Sequence, residues 1–345
     1  MTGPQGRPAG VGGGSRRALL VAMCAGYFLV LLDVTIVNVA LPSIGSGLGA
    51  DVSDLQWVVD GYAIALASLM LVGGAVGDLH GHKRIVLVGL GVFGVASLAC
   101  GAAPSAGLLV GARVLQGVGA ALLLPGTLAI ISHAFPEPGE QAKTIGIWVG
   151  IGSLALPAGP LLGGALADAF GRQRRRRGHE PRHPGHAVRV HPLPPDCAAP
   201  LGLAAGVAML PLFLPLTVLA PLAGRLTARV GPKLPMAAGL LTAAVGVGLL
   251  VRAQAGSGYR TLLPALLLWG IGLGVLTPAV VAAAVRAVPA RCAGLASAVN
   301  NTARQAGGAI GIAAFGAIAG SAAQPGPSSP ACTPTRSSPS ASGSP

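Results

Sequence analysis

Three charged residues stand inside otherwise apolar runs: Asp33, Asp60 and Arg113. An ionised side chain at the centre of a bilayer costs about 2.5–3.5 kcal/mol on insertion scales, so such residues are kept for a purpose. The purpose their chemistry suggests is proton handling. Burial favours a neutral carboxyl and a nearby guanidinium favours a charged one, so an arginine that moves loads and unloads a proton. Helical rise puts the three at comparable heights below the outer face: Asp33, nine residues before Pro42, about 13 Å, Asp60 about 5–9 Å and Arg113, six residues past Gly107, about 9 Å. All three can meet in one half of one bundle. A fixed ion pair that merely orders the helices is the competing reading, and Asp60 is close enough to a helix end to face water.

A second group lies in a loop, Gly74–Arg84, which reads GAVGDLHGHKR. Its glycines permit a tight turn, and Asp78 can accept hydrogen bonds from a neighbouring helix N-terminus or an arginine. That would latch two helices together, while Gly81, Lys83 and Arg84 serve either the latch or orientation alone. Arg113, Gly117, Ala121 and Pro125 recur every four residues and line one helix face, with Gln116 beside them. Ala155, Gly159 and Gly163 do the same further on, with Pro157 and Pro160 set to bend that helix and Gly164 at its end. Small residues on such faces let helices approach closely. Asn300, Asn301, Arg304 and Gln305 form a polar group that could line a cavity.

Other chemistries are not expected. His179, His183, His186 and His191 sit in a Pro/Arg-rich stretch without cysteine partners, which argues against a metal site. The five cysteines form no C-x-x-C pair. There is no G-x-x-x-x-G-K-[ST] loop for ATP and no nucleophile–base constellation, so neither an enzyme nor a cofactor is expected.

The elements that must position these residues are membrane helices. Charged residues make up only 10% of the chain and hydrophobic ones 52%, whereas a soluble domain carries about 25% charge. Nine segments have the roughly 20 apolar residues a span requires: Ala18–Val39, Trp57–Gly77, Ile85–Ala103, Leu108–Ile131, Thr144–Leu166, Leu201–Leu222, Leu234–Val251, Leu262–Val285 and Gly294–Gly320. The first is too long for a signal-peptide core and is expected to stay in the protein. With the tail 1–17 in the cytoplasm, cytoplasmic segments hold eleven Lys and Arg, and the opposite side three outside one stretch. The net charge of +13 thus reflects loop bias and a lipid-bilayer partner, not nucleic acid.

The exception is 171–200, with seven arginines on the side that should carry few. It reads as an irregular linker between a first half, 18–170, with five spans, and a partial second half, 201–320, with four. The tail 321–345 is Ser/Pro-rich and expected to be disordered. The halves share a template: Gly74, Gly81 and Lys83 shifted by 150 residues are Gly224, Gly231 and Lys233. Gly117, Gly119 and Pro125 likewise have the mutual spacing of Gly270, Gly272 and Pro278. Two halves on one template, with a path between them, are a common transporter plan.

Together these residues resemble the drug:proton antiporters of the major facilitator superfamily, in its fourteen-span branch. LDVTIVNVALP (Leu32–Pro42) is similar to that branch's first-helix motif, and QWVVDGY (Gln56–Tyr62) to the start of its second helix. Gly74–Arg84 resembles the loop motif, RVLQGVGAA (Arg113–Ala121) the fourth-helix motif, and GPLLGG (Gly159–Gly164) the antiporter motif. The resemblance implies an all-α polytopic bundle with about nine of fourteen spans. It implies efflux of amphipathic or cationic drugs across the cytoplasmic membrane, with Asp33 and Arg113 in proton coupling and Asp60 recognising cations. Departures are Leu79 and His82 where arginines are usual, and Ala155 for a glycine. Four spans expected between 171 and 200 are absent, and the last is replaced by the tail. Loss of an even number of helices keeps the sides in register. The alternative to a working exporter is therefore a truncated or frameshifted remnant that inserts without transporting.

Overall fold

The computed structural model describes residues 13–163, 207–252 and 258–322. The linker 171–200, Gly164, the four histidines at 179–191, most of the N-terminal tail and the Ser/Pro tail lie outside the described residues. Within them the chain is helical, with no strand: α1 (Gly13–Leu48), α2 (Val52–His80), α3 (His82–Gly101), α4 (Ala106–Ala134), α5 (Pro138–Ser153, resuming over 155–163), α6 (Leu210–Val230), α7 (Lys233–Val251), α8 (Tyr259–Arg286) and α9 (Ala293–Ala322). The first eight are long and apolar enough to cross a membrane. The ninth expected span is also helical, but its first half carries the polar group around Asn300. Contacts divide the chain after Thr302. The second unit is described only as the remaining turns of α9 up to Ala322.

Local chemistry sets the helix ends. Asp51 caps α2 by accepting from the Asp54 N–H at 2.8 Å, and Ser105 caps α4 by accepting from Leu108 at 3.4 Å. Gly81 ends α2 at φ +91° and Gly231 ends α6 at φ +79°. Both are in the left-handed region where a Cβ is strained, and they are one of the glycine pairs the repeat aligned. α5 breaks at Leu154, because Pro157 cannot donate to Ser153 and its ring crowds that turn.

The repeat holds contact by contact. A Cβ on Gly117 of α4 would lie 2.5 Å from Tyr62 O on α2; one on Gly270 of α8 would collide with Leu212 O on α6. A Cβ on Gly89 would lie 2.8 Å from Gly119 O, and one on Gly239 would lie 2.8 Å from Gly272 O. The α2 and α3 positions are displaced by 150 residues and the α4 positions by 153. So α2 and α3 pack on α4 as α6 and α7 pack on α8, at distances that exclude side chains. The halves then meet crosswise. Gly74 of α2 approaches Gly294 O at the start of α9, and Gly224 of α6 approaches Ala142 O of α5, each with 2.6 Å left for a Cβ.

Burial ranks the helices. The apolar window of α4 is 72% buried, against 22% for α3 and α7, which makes α4 the central post of the first half. The outer faces of α3 and α7 carry exposed Leu87, Val88, Val95, Leu240, Leu241 and Val245, as helices facing lipid should. α1 packs against α4 and α5. Gly159 sits against Thr35, Gly163 against Val39 one turn along, and the Thr35 hydroxyl donates to Ala155 O at 3.2 Å. The Tyr27 and Trp148 rings stack between α1 and α5 with centroids 3.9 Å apart. The small face of the 155–163 segment therefore fixes the height and rotation of α1, the helix that bears Asp33.

Candidate functional site

Held in this way, Asp33 meets Arg113 in the interior of the first half. Arg113 Nη1 donates to Asp33 Oδ2 at 2.6 Å and to Gln116 Oε1 at 2.7 Å. Gln116 Nε2 donates to Asp33 Oδ1 at 2.8 Å and to Ser97 Oγ of α3 at 2.9 Å. The Cys100 thiol donates to Gln116 Oε1 at 3.6 Å. From α2, Val58 O accepts from Arg113 Nε at 3.2 Å, and the Tyr62 ring lies 4.2 Å from the guanidinium carbon. Four helices thus converge on one carboxylate. The guanidinium is satisfied by a charge, an amide, a carbonyl and a π-face, as a buried charge requires.

Asp60 does not join them. Val58 and Tyr62 share the face of α2 that meets α4, and a residue two positions from each is turned about 200° away. Asp60 is half-buried on that other side. Gln116, grouped by spacing with the packing residues, forms hydrogen bonds to both members of the ion pair. Ser97 and Cys100 carried no sequence signal, because a lone polar residue in an apolar helix does not reveal its rotation, and Tyr62 was marked only as the end of the Gln56–Tyr62 motif. Asp33, Arg113, Gln116, Ser97 and Cys100 also wall a cavity of about 210 Å³.

The segment Gly74–Arg84, expected as a loop, is helical except at Gly81, since one glycine at positive φ suffices to turn the chain, and its residues form a separate arrangement at the other end of the helices. Asp78 accepts from Gly294 N–H at 3.0 Å and Leu295 N–H at 2.9 Å, capping α9 across 216 positions of sequence. His82 Nε2 lies 3.0 Å from Asp78 Oδ1. Gly74, one turn before Asp78, gives α9 the room to approach. Lys83 and Arg84 are exposed in the first turn of α3. Asn301 is buried and donates to Ser297 O of its own helix at 3.0 Å, Asn300 is half-buried, and Arg304 belongs to the second unit, where it is exposed. Pro125 is buried in α4, and Pro160 is half-buried in the resumed α5.

Apolar helices in two repeated halves, with a satisfied ion pair inside one of them, define a polytopic membrane protein of the carrier class. The profile of the Major Facilitator Superfamily matches residues 23–174 and 193–323, and the chain belongs to that family of transporters. It is 40% identical over 152 residues to the methylenomycin A resistance protein of Streptomyces coelicolor, covering 44% of this chain and 32% of that protein. It is 43% identical over 152 residues to the multidrug resistance protein Stp of Mycobacterium tuberculosis, covering 44% and 28%. A longer match is 33% identical over 407 positions to the puromycin resistance protein pur8 of Streptomyces alboniger, covering 87% of this chain and 81% of that protein. In the first two, the match spans no more than about a third of the relative's own length.

Proposed function

We propose that the protein exports amphipathic, cationic drug-like compounds across the cytoplasmic membrane in exchange for protons, by alternating access between its halves. The observation that carries this is the contact of Asp33 with Arg113 and Gln116, buried between α1 and α4. A carboxylate buried beside a guanidinium stays charged, and one left buried alone takes a proton. A shift of α1 against α4 that parts the two would therefore load a proton, and the return would release it. The membrane potential supplies about 2.3 kcal/mol per charge per 100 mV to such a cycle. In this reading the N-terminus is cytoplasmic, and the Asp78 latch closes the cytoplasmic side. Asp60, outside the network, receives the substrate's positive charge. Relatives named as resistance proteins support the direction of transport.

The test is dye or antibiotic accumulation in cells that express the chain, compared with Asp33→Asn. The substitution keeps the hydrogen-bond partners but removes the proton site, and accumulation is expected to rise to the level of cells without the protein. Unchanged efflux refutes proton coupling at Asp33.

A second reading is favoured by one observation. The match to pur8 runs over 407 positions but only 87% of these 345 residues, about 300, which leaves about 107 positions of the relative without a counterpart. Four spans with their loops need about that many residues. The family match itself breaks between residues 174 and 193, at the arginine-rich stretch. In this reading the chain inserts but lacks helices needed to close a path. A version with four helices restored at 171–200 then lowers drug accumulation where this chain does not. Reading the DNA of that stretch in its other frames for apolar helices gives an independent check.

A further inference from the structure

The Asp33 carboxylate is more open than its partner. Its side chain keeps 18% of its surface exposed while that of Arg113 keeps 3%. That opening is onto the 210 Å³ cavity, whose polar floor is Asp33, Arg113, Gln116, Ser97 and Cys100 and whose far walls include Ile44, Gly101 and Leu109. The floor and far walls are separated along the helix axes. From Leu109 to Gln116 on α4 is about 10 Å, and from Asp33 to Ile44 on α1 about 16 Å. Gly101 is the exposed last residue of α3, and Leu109 lies in the first turns of α4. The cavity thus runs from the charge network towards the α3–α4 connection, away from the Asp78 latch. Among the described residues its lining comes from α1 to α4 alone, all in the first half. At ~30 Å³ per liquid water it has room for several molecules, and the part-exposed Asp33 carboxylate, which keeps lone pairs beyond its bonds from Arg113 and Gln116, is there to bind them.

We propose that this cavity is a water-filled proton vestibule, through which H⁺ reaches Asp33 from the outer solution without using the substrate path. The assignment of Asp33 as the proton site rests on the function proposed above; the vestibule adds the route. The route suits an exporter, because protons must load from outside while the substrate leaves between the halves. A proton arriving along the waters adds to Asp33 Oδ1 or Oδ2, and Arg113 then loses its ionic partner. The charged and titratable groups around that carboxylate are Arg113 on α4, Tyr62 on α2 and Cys100 on α3; their positions do not close the cavity side.

Cys100 is a built-in reporter. The full chain with Cys100 as its sole cysteine is treated, in intact cells, with the membrane-impermeant thiol reagent MTSET, beside a chain keeping only the buried Cys24. Cys100 is expected to react from outside at least tenfold faster than Cys24. Equal rates, or reaction only from the cytoplasmic side in everted vesicles, overturn the proposal. The second measurement compares the same sole-cysteine protein before and after labelling, with Asp33→Asn serving only to identify the band. After an external pH jump, the infrared carboxyl band that is absent in Asp33→Asn is expected to respond at least tenfold more slowly once Cys100 carries the adduct. An unaltered response overturns the route. Absence of any such band refutes Asp33 as the proton site, while the labelling result still decides the cavity.

Discussion

Gln116 is the residue whose role differs most from its sequence context. Its amide binds Asp33, Arg113 and Ser97 at once. Gln116→Leu leaves polar partners buried and unpaired, at a cost of about 1–3 kcal/mol for each such group. A clear drop in melting temperature in detergent is expected, larger than for Ser97→Ala, which removes two partly buried bonds, one of them within its own helix. Tyr62 separates two effects. Its hydroxyl is buried without a partner, so Tyr62→Phe is expected to leave stability equal or raise it. Tyr62→Leu removes the π-face under Arg113 and should cost about 1–2 kcal/mol. Equal melting of the two variants would show that the ring does not act through the guanidinium.

Among elements, the informative contacts are those without side chains. Gly117 and Gly270 meet the backbones of α2 and α6 at equivalent places. Gly→Ala at either position is expected to destabilise its own half by about 1–3 kcal/mol, the usual cost of overpacking. Gly91, with open space around it, should accept alanine without loss. Thermal unfolding of the three variants makes the comparison. The Asp78 cap belongs to this scale too, since it ties α2 to the first turn of α9. Asp78→Ala removes two bonds to a helix N-terminus, worth about 0.5–2 kcal/mol. It should lower disulfide cross-linking between cysteines placed at Leu79 and Leu295, and unchanged cross-linking would show that packing at Gly74 and Gly294 suffices.

For the whole molecule, the question is whether four helices of the second half can complete a path with five of the first. The crosswise contacts, α2 on α9 and α6 on α5, show that the two halves still meet on glycine faces. α1 is held from both sides by α4 and α5. By the 150-residue offset its repeat counterpart falls at 163–198, largely outside the described residues. Accordingly, a chain with the α1-equivalent helix and its neighbours restored is expected to accumulate less drug than the present one, while both insert to equal levels in membrane fractions.

Sequence alone was enough to establish the membrane class, the helical segments and the repeat, because burial in lipid demands long apolar runs and satisfied backbones whatever the packing. It was also enough to place Asp33 and Arg113 at matching heights, since rise per residue is constant along a helix. Rotation about the helix axis was not available from sequence. It depends on which glycine faces which backbone, a property of two helices rather than one. Only the tertiary structure therefore turned Asp60 away, brought Gln116 and Ser97 to the carboxylate, and chose the start of α9 as the partner of Asp78.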